Sequence, residues 1–487
     1  MEERAIRGIR WTLLGYASTR LGSLATTFAL ARLLVPGDFG VVAFATLLVA
    51  GFLLFGTLGL GSAIVVRQDL GREHLRTALT LMIAAYLACG GILVALSPLA
   101  ADVLDDPGAD AVLRGLTIPV MFGGLTWFHA ALLQRELQFS RQFSCMVGQV
   151  VAMAAVAIPL AAIGAGVWSL VAGQVVGAGV YTALLVALAP YRVRPGFDSA
   201  AARGWCGAGW GFVLQGGISF VEQNADYAVL GVKAGARQLG LYSMAYRIAE
   251  IPSNLVVEPV AQATFPGFAR MRNRSEPVTD AFLSALRLTT LFAFPLGLIA
   301  AGAAEPLVAA VLGPKWVAVT DLLRILGIWG SMRVVHATTG WFVNAMGFSA
   351  SIGYAYLGLL VVSLPLLVVA ADAAGAEGVA WVMVGNVVAM ALIVAAIAQR
   401  RIGVDARRQW AAVRPCMLAA VPGGLAALAA AEALDGAPAA LAAVLALAAG
   451  LAAYLACVTL LDRGVLAEGV RGARAVSART PSATPDA

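Results

Sequence analysis

Charge is what this chain has least of. Only 12% of its 487 residues are Asp, Glu, Lys or Arg, against roughly 25% in an ordinary soluble domain, and that shortage excludes a soluble globular protein. Histidine (3) and cysteine (5) are also scarce. Cys89, Cys145, Cys206, Cys416 and Cys457 are odd in number, lack metal-ligand spacing and lie in or beside apolar segments, so they read as packing residues. Neither a metal nor a cofactor is implied. Long polar loops are missing too, which leaves no room for a folded domain outside the membrane.

What fills the chain is apolar sequence, 60% of all residues. Windows of about 20 apolar residues recur from Trp11 to Asp462, each long enough as a helix to cross a hydrocarbon core of about 30 Å. About fourteen such spans are expected, near 11–34, 41–66, 78–104, 112–134, 143–164, 166–190, 205–232, 239–266, 279–312, 318–346, 349–372, 376–398, 415–435 and 438–461. The runs are continuous rather than alternating, so helices and not a barrel must satisfy the backbone. The predicted fold is an all-α integral membrane bundle. MEERAIRGIRWTLLGY at the start has basic residues ahead of an apolar run but no visible cleavage site, and is read as the first helix.

The net charge of +6 is not a nucleic-acid signal, because the basic residues keep to alternate loops. One side carries Arg4, Arg7 and Arg10; Arg67, Arg72 and Arg76; Arg135 and Arg141; Arg192, Arg194 and Arg203; Arg270, Arg272 and Arg274; Arg400, Arg401, Arg407, Arg408 and Arg414; and the arginines of the tail. The opposite loops hold Arg32, Lys233, Arg237 and Lys315 with acidic runs such as ADVLDDPGAD at 101–110. The positive-inside rule then places both termini in the cytoplasm. The DD pair in that acidic run is a solvated helix end and turn rather than a metal or glycosyl-transfer site.

The chain repeats itself. At an offset of 200 residues, Gly40 falls on Gly240, Ala45 on Ala245 and Ala63 on Ala263. Six spans are therefore used twice and two are added: an N-lobe at 1–200, a C-lobe at 201–400, two further spans at 401–462 and a polar, disordered tail at 463–487. Because six is even, the repeats enter the membrane in the same direction and enclose a central cleft. Within the repeat, Pro36 and Gly37 are expected to break the first helix, with Asp38 capping the second.

ALARLLVPGDFGVVAFA at 29–45, LGLYSMAYRI at 239–248 and IPSNLVVEPVAQATFPGFARMRN at 251–273 resemble the Wzx-type polysaccharide flippases of the multidrug/oligosaccharidyl-lipid/polysaccharide exporter superfamily. That resemblance covers essentially the whole chain, including the six plus six plus two arrangement. It implies translocation of a polyprenyl-diphosphate-linked oligosaccharide across a bacterial cytoplasmic membrane by alternating access, for surface polysaccharide or lipopolysaccharide biosynthesis. Its partners would be membrane lipid, a polysaccharide polymerase and glycosyltransferases. A drug or metabolite antiporter of the same superfamily and a non-transporting scaffold of an assembly complex are the alternatives; a membrane glycosyltransferase would need a large catalytic loop.

Sites are sought among charges that are costly in lipid, where about 2.5–3.5 kcal/mol is charged for a central Asp, Arg or Lys. Glu222 and Asp226 are one helical turn apart, with Gln215 and Ser219 continuing the stripe. By resemblance, spans 1, 2, 7 and 8 line the cavity, which would gather Arg20, Glu222, Asp226, Arg247 and Glu250. Arg20 and Arg247 would then bind the substrate diphosphate, although each could equally pair with a carboxylate and hold the helices together. Glu222, Asp226 and Glu250 are cavity carboxylates suited to ion coupling. Asp321 and Arg324 have the spacing of a pair, and Arg333 and His336 form a secondary polar surface or pack inside the bundle. His129 is expected to be satisfied by a neighbouring helix. The glycines of GTLGLGS and WGFVLQGGISF lack the Lys-Ser/Thr ending of a nucleotide loop and read as packing points.

Overall fold

The computed structural model describes residues 19–56, 60–66, 71–199, 201–202, 210–273 and 278–462. Arg4, Arg7, Arg10, Cys206 and the tail from 463 lie outside these, as do the side chains of Gln215 and Ser219. Every regular element among the described residues is a helix, with no strand. The chain runs through α1 (19–33), α2 (Pro36–Gly56), α3 (Leu60–Val66), α4 (Arg72–Leu104), α5 (Gly108–Arg135), α6 (Phe139–Ala162), α7 (Val167–Leu188) and α8 (Trp210–Ala249). A π-helical turn at Ser253–Val257 leads into α9 (Glu258–Asn273), then α10 (Thr279–Gly302), α11 (Ala304–Val311), α12 (Val319–Ala345), α13 (Ser349–Ile397), α14 (Ala406–Ala433) and α15 (Ala439–Leu461). Nine helices among the described residues are long and apolar enough to cross a membrane; α8 and α12 fall short of that apolarity, and they carry Glu222, Asp226, Arg247, Asp321, Arg324, Arg333 and His336. The all-α membrane fold expected from hydropathy is the fold observed.

Two compact units result, one running to Ser243 and including Ala371–Ala376, the other comprising Met244–Ala370 and the chain from Glu377. In the first, α4 packs along α5, α6 along α7, and α5 against α7. Ser97, Asp110 and Arg114 tie the α4–α5 hairpin together: Ser97 Oγ lies 2.5 Å from Asp110 Oδ1, and Arg114 Nε donates to both at 2.9 Å. The segment after α7 is fastened to the start of α4, since Gly196 N–H donates to Thr80 Oγ1 at 2.9 Å and Asp198 N–H to Thr77 Oγ1 at 3.0 Å. In the second unit, α10 packs on α12 and α14, and α14 on α15. Small residues set these distances, as expected where lipid supplies no hydrophobic drive between helices; Ser331 Oγ, for example, donates across to the Phe294 carbonyl at 2.8 Å.

Pro36 does not break α1 from within. It opens α2 as a first-turn proline, whose fixed φ suits that position and whose missing N–H is not needed there. Asp38 stands inside the first turn, and its Oδ2 accepts from Val35 N–H at 3.3 Å, so it reaches back along the chain instead of capping from in front. His129 is satisfied by its own helix, through Nδ1 and the Leu125 carbonyl at 2.7 Å, not by a neighbouring one. Asp321 and Arg324 do pair, at 3.0 Å. In the acidic run, Asp105 ends α4 with φ 50° and Asp106 Oδ1 accepts from Gly108 N–H at 2.8 Å. Cys89, Cys145 and Cys416 are buried and Cys457 is half-buried, all as free thiols.

The two glycines aligned at an offset of 200 meet in space. A Cβ on Gly40 would sit 1.7 Å from the Ala236 carbonyl oxygen, and one on Gly240 would sit 1.8 Å from the Pro36 carbonyl oxygen. The contacts 40 to 236 and 240 to 36 are reciprocal, the pattern that a local two-fold axis produces. Other turns repeat as well. The α5–α6 and α12–α13 turns share the same three hydrogen bonds: Glu136 to Leu132, Leu137 to Gln134 and Gln138 to Leu133 in one, Met346 to Phe342, Gly347 to Asn344 and Phe348 to Val343 in the other. Leu137 and Gly347 take the left-handed position, at φ 54° and 87°. Gly166 and Gly375, at φ 55° and 57°, do the same before α7 and within α13.

Gly40→Ala and Gly240→Ala should each cost about 3 kcal/mol by forcing two backbones apart, while Gly37→Ala, whose Cβ meets nothing within 4 Å, should be nearly neutral. Thermal unfolding in detergent checks this, and equal midpoints for all three would refute the contact. In the paired turns, Gly347→Leu should cost about 1–2 kcal/mol for the left-handed backbone. Leu137→Gly should stay within about 0.5 kcal/mol of the parent, relief of strain offsetting the added freedom of the unfolded chain; the same measurement decides.

Candidate functional site

Each unit holds a polar constellation inside helices of membrane length. In the first, the key is the bend of α8 at Gly235, where φ is 73° and ψ 177°. In a straight helix Asp226 and Tyr242 would stand about 24 Å apart along the axis. The bend folds the two halves of α8 alongside each other, and Tyr242 Oη donates to Asp226 Oδ2 at 2.6 Å. Both residues are wholly buried. Tyr227 packs edge-on against Tyr242 with ring centres 5.7 Å apart. A short hydrogen bond of this kind offsets part of the cost of burying the Asp226 carboxyl group away from water.

Glu222 lies a turn before Asp226 and is half-buried, while Arg20 on α1 is exposed. The bend itself is braced from a distance: Lys233 Nζ pairs with Asp372 Oδ2 at 3.1 Å, and Gln238 Oε1 accepts from Ala376 N–H at 2.8 Å.

In the second unit the constellation forms where a helix is interrupted. Pro252 has no N–H to return to the Ile248 carbonyl, and the chain widens into the π-helical turn Ser253–Val257 directly after it. Glu250 stands at this interruption. Its Oε1 accepts from Arg333 Nη2 at 3.1 Å, and both side chains are about a quarter exposed, 26% and 25%. Arg333 also lies over the ring of Trp329, its Cζ 5.1 Å from the ring centre, and Trp329 packs against Tyr246 with ring centres 4.5 Å apart and planes tilted by 39°. Gly330 brings α12 close enough for this, since a Cβ there would sit 2.2 Å from the Ala249 carbonyl oxygen. One turn further along α12, His336 Nε2 meets Tyr356 Oη at 3.2 Å. Arg247 is exposed.

Of the residues singled out in the sequence, Arg20, Glu222 and Asp226 thus belong to the first unit and Arg247, Glu250, Arg333 and His336 to the second. Glu250 and Arg333 are brought together. Tyr242, Tyr246, Trp329 and Tyr356 were missed. A usable signal existed for some of them: Tyr246 precedes Glu250 by four residues, and Trp329 precedes Arg333 by four, so each aromatic shares a helical face with a charge. No group of three His, Cys, Asp or Glu side chains among the described residues is placed to hold a metal ion.

Comparison with known proteins places this geometry in context. The chain is 27% identical over 389 residues to the succinoglycan biosynthesis transport protein ExoT of Rhizobium meliloti, covering 79% of this chain and 78% of that one. It is 24% identical to the lipopolysaccharide biosynthesis protein WzxC of Escherichia coli, over 78% and 77% of the two chains. Its fold is similar to that of the lipid II flippase MurJ in an inward closed conformation, with a TM-score of 0.75 over 93% of this chain and 99% of that one at 12% identity. Residues 29–321 match the family model described as polysaccharide biosynthesis protein. On a match of that length, the chain belongs to the polysaccharide biosynthesis protein family.

Proposed function

We propose that this multi-pass membrane protein is a flippase that carries a polyprenyl-diphosphate-linked oligosaccharide across the bacterial cytoplasmic membrane by alternating access, supplying surface polysaccharide synthesis. The observation that carries the reading is the pair of polar constellations set within membrane-length helices, Asp226 with Tyr242 and Glu250 with Arg333. A passive scaffold gains nothing from charges so costly to place in lipid. Membership of the polysaccharide biosynthesis family and similarity to a succinoglycan transport protein support the choice of cargo.

In this reading Arg20 and Arg247 engage the diphosphate, because a guanidinium offers a fixed fork of donors and keeps its charge at any working pH. Glu222, Asp226 and Glu250 serve ion coupling. Both termini face the cytoplasm, following the arginine-rich loops, and a polymerase and glycosyltransferases act before and after the transport step. The protein is a transporter in this scheme, without chemistry of its own.

Proteoliposomes loaded with a polyprenyl-diphosphate oligosaccharide provide the test. Arg20→Ala and Arg247→Ala should each slow transfer at least about tenfold, as expected for loss of a charge-assisted contact to phosphate, with the protein still inserted. Unimpaired flipping by both variants would remove the arginines from the site, and efflux of small cations without any glycan transfer would favour a drug antiporter. Asp226→Asn should flatten the dependence of flipping rate on pH, and Tyr242→Phe should displace it. If neither variant alters the pH profile, the buried bond between them is only structural.

A further inference from the structure

Among the polar groups of the second unit, Arg333 is under-used. A guanidinium carries five N–H donors. Here a single hydrogen bond, from Nη2 to Glu250 Oε1 at 3.1 Å, is made, and the remaining close contact is the face of Trp329. Arg333 Nε is buried and has no hydrogen-bond partner. Ser253 is in the same position: the residue is 3% exposed, and its Oγ is buried without a partner. Ser253 follows Ala249, which touches Gly330, and precedes Val257, which packs on Val334. The segment that holds Ser253 therefore runs beside the stretch of α12 that bears Arg333. Arg333 itself lies about 21 Å along α12 from Val319, near the helix midpoint.

Two buried donors without acceptors, one of them on a cation, are expensive to leave so. An acceptor-rich anion would satisfy both. The ion pair is within reach of solvent, since the side chains of Arg333 and Glu250 are each about a quarter exposed, while Nε and Ser253 Oγ are buried. The charged and titratable groups around Arg333 are Glu250, Glu258, Tyr246 and Tyr356, with His336 on the same helix, so Glu250 and an incoming anion compete for one guanidinium.

The structure assigns Arg333 as an oxyanion-binding residue that Glu250 occupies in the absence of ligand and yields to the phosphate or carboxylate oxygens of the cargo. The ion pair is then an exchangeable plug: it neutralises Arg333 while the site is empty, and the buried Nε is left without an acceptor until an anion displaces Glu250. This deepens the flippase reading and rests on it for the source of the anion, which is either the diphosphate of the carrier or an acidic sugar.

Binding of inorganic pyrophosphate and of glucuronate to the full-length protein in lipid nanodiscs tests this, read by isothermal calorimetry and by the fluorescence of Trp329, with Trp329→Phe as the blank. Arg333→Gln should weaken binding at least tenfold and Arg333→Lys by less, since charge survives but the fork is lost. Glu250→Gln should tighten binding several-fold, because the competing carboxylate becomes neutral. That gain distinguishes an exchange site from a structural pair, whose loss would lower folding and binding together. Tighter binding of pyrophosphate alone identifies the carrier diphosphate as the source, and of glucuronate alone an acidic sugar. If neither anion binds, or if Glu250→Gln leaves both affinities unchanged, the assignment is wrong. Because binding is read without transport, a protein that binds but never flips would overturn the flippase reading and leave this site standing.

Discussion

The contact between Pro36–Gly40 and Ala236–Gly240 is the constraint from which much of the first unit follows. Two backbones approach closely enough that neither Gly40 nor Gly240 has room for a single extra carbon. Such proximity fixes the second half of α8 against the start of α2. The bend at Gly235 then determines where the first half must run, and with it the meeting of Asp226 and Tyr242. Nothing about this arrangement depends on hydrophobic drive, which lipid does not supply; it depends on the absence of side chains at two positions.

The second unit reaches a comparable end by a different route. There a proline removes one hydrogen bond, the helix widens, and the interruption sets Glu250 opposite a cation on α12. Both units therefore place a carboxylate next to an irregular stretch of helix, one bent at a glycine and one loosened at a proline. In each case the irregularity and the charge occur within a few turns of one another.

Much of this was legible from residue order and some was not. Continuous apolar runs disclosed the helices because every pass must satisfy its own backbone. The alignment of Gly40 with Gly240 was legible because a requirement for no side chain leaves a residue type behind. The matching turns at Leu137 and Gly347 were hidden, since the same left-handed backbone is filled by leucine in one repeat and glycine in the other. Asp226 and Tyr242 fall on two successive expected spans, 205–232 and 239–266, but which of their side chains meet depends on how the two helices pack. Glu250 and Arg333, 83 residues apart, carry no mutual signal in a single sequence; only the aromatic residue four places before each one hinted that these charges are covered by rings.

The short segment Ala371–Ala376 belongs to the first unit although the chain has by then passed through most of the second. It supplies Asp372 to Lys233 and a backbone N–H to Gln238. During synthesis, the helices of the first unit therefore emerge and insert long before the piece that braces the bend of α8 exists. For that interval Lys233 and Gln238 must rely on water or lipid headgroups. The first unit is the earlier to be made and cannot be the earlier to be finished, so its maturation is timed by the translation of residues some 130 positions downstream of its own last helix.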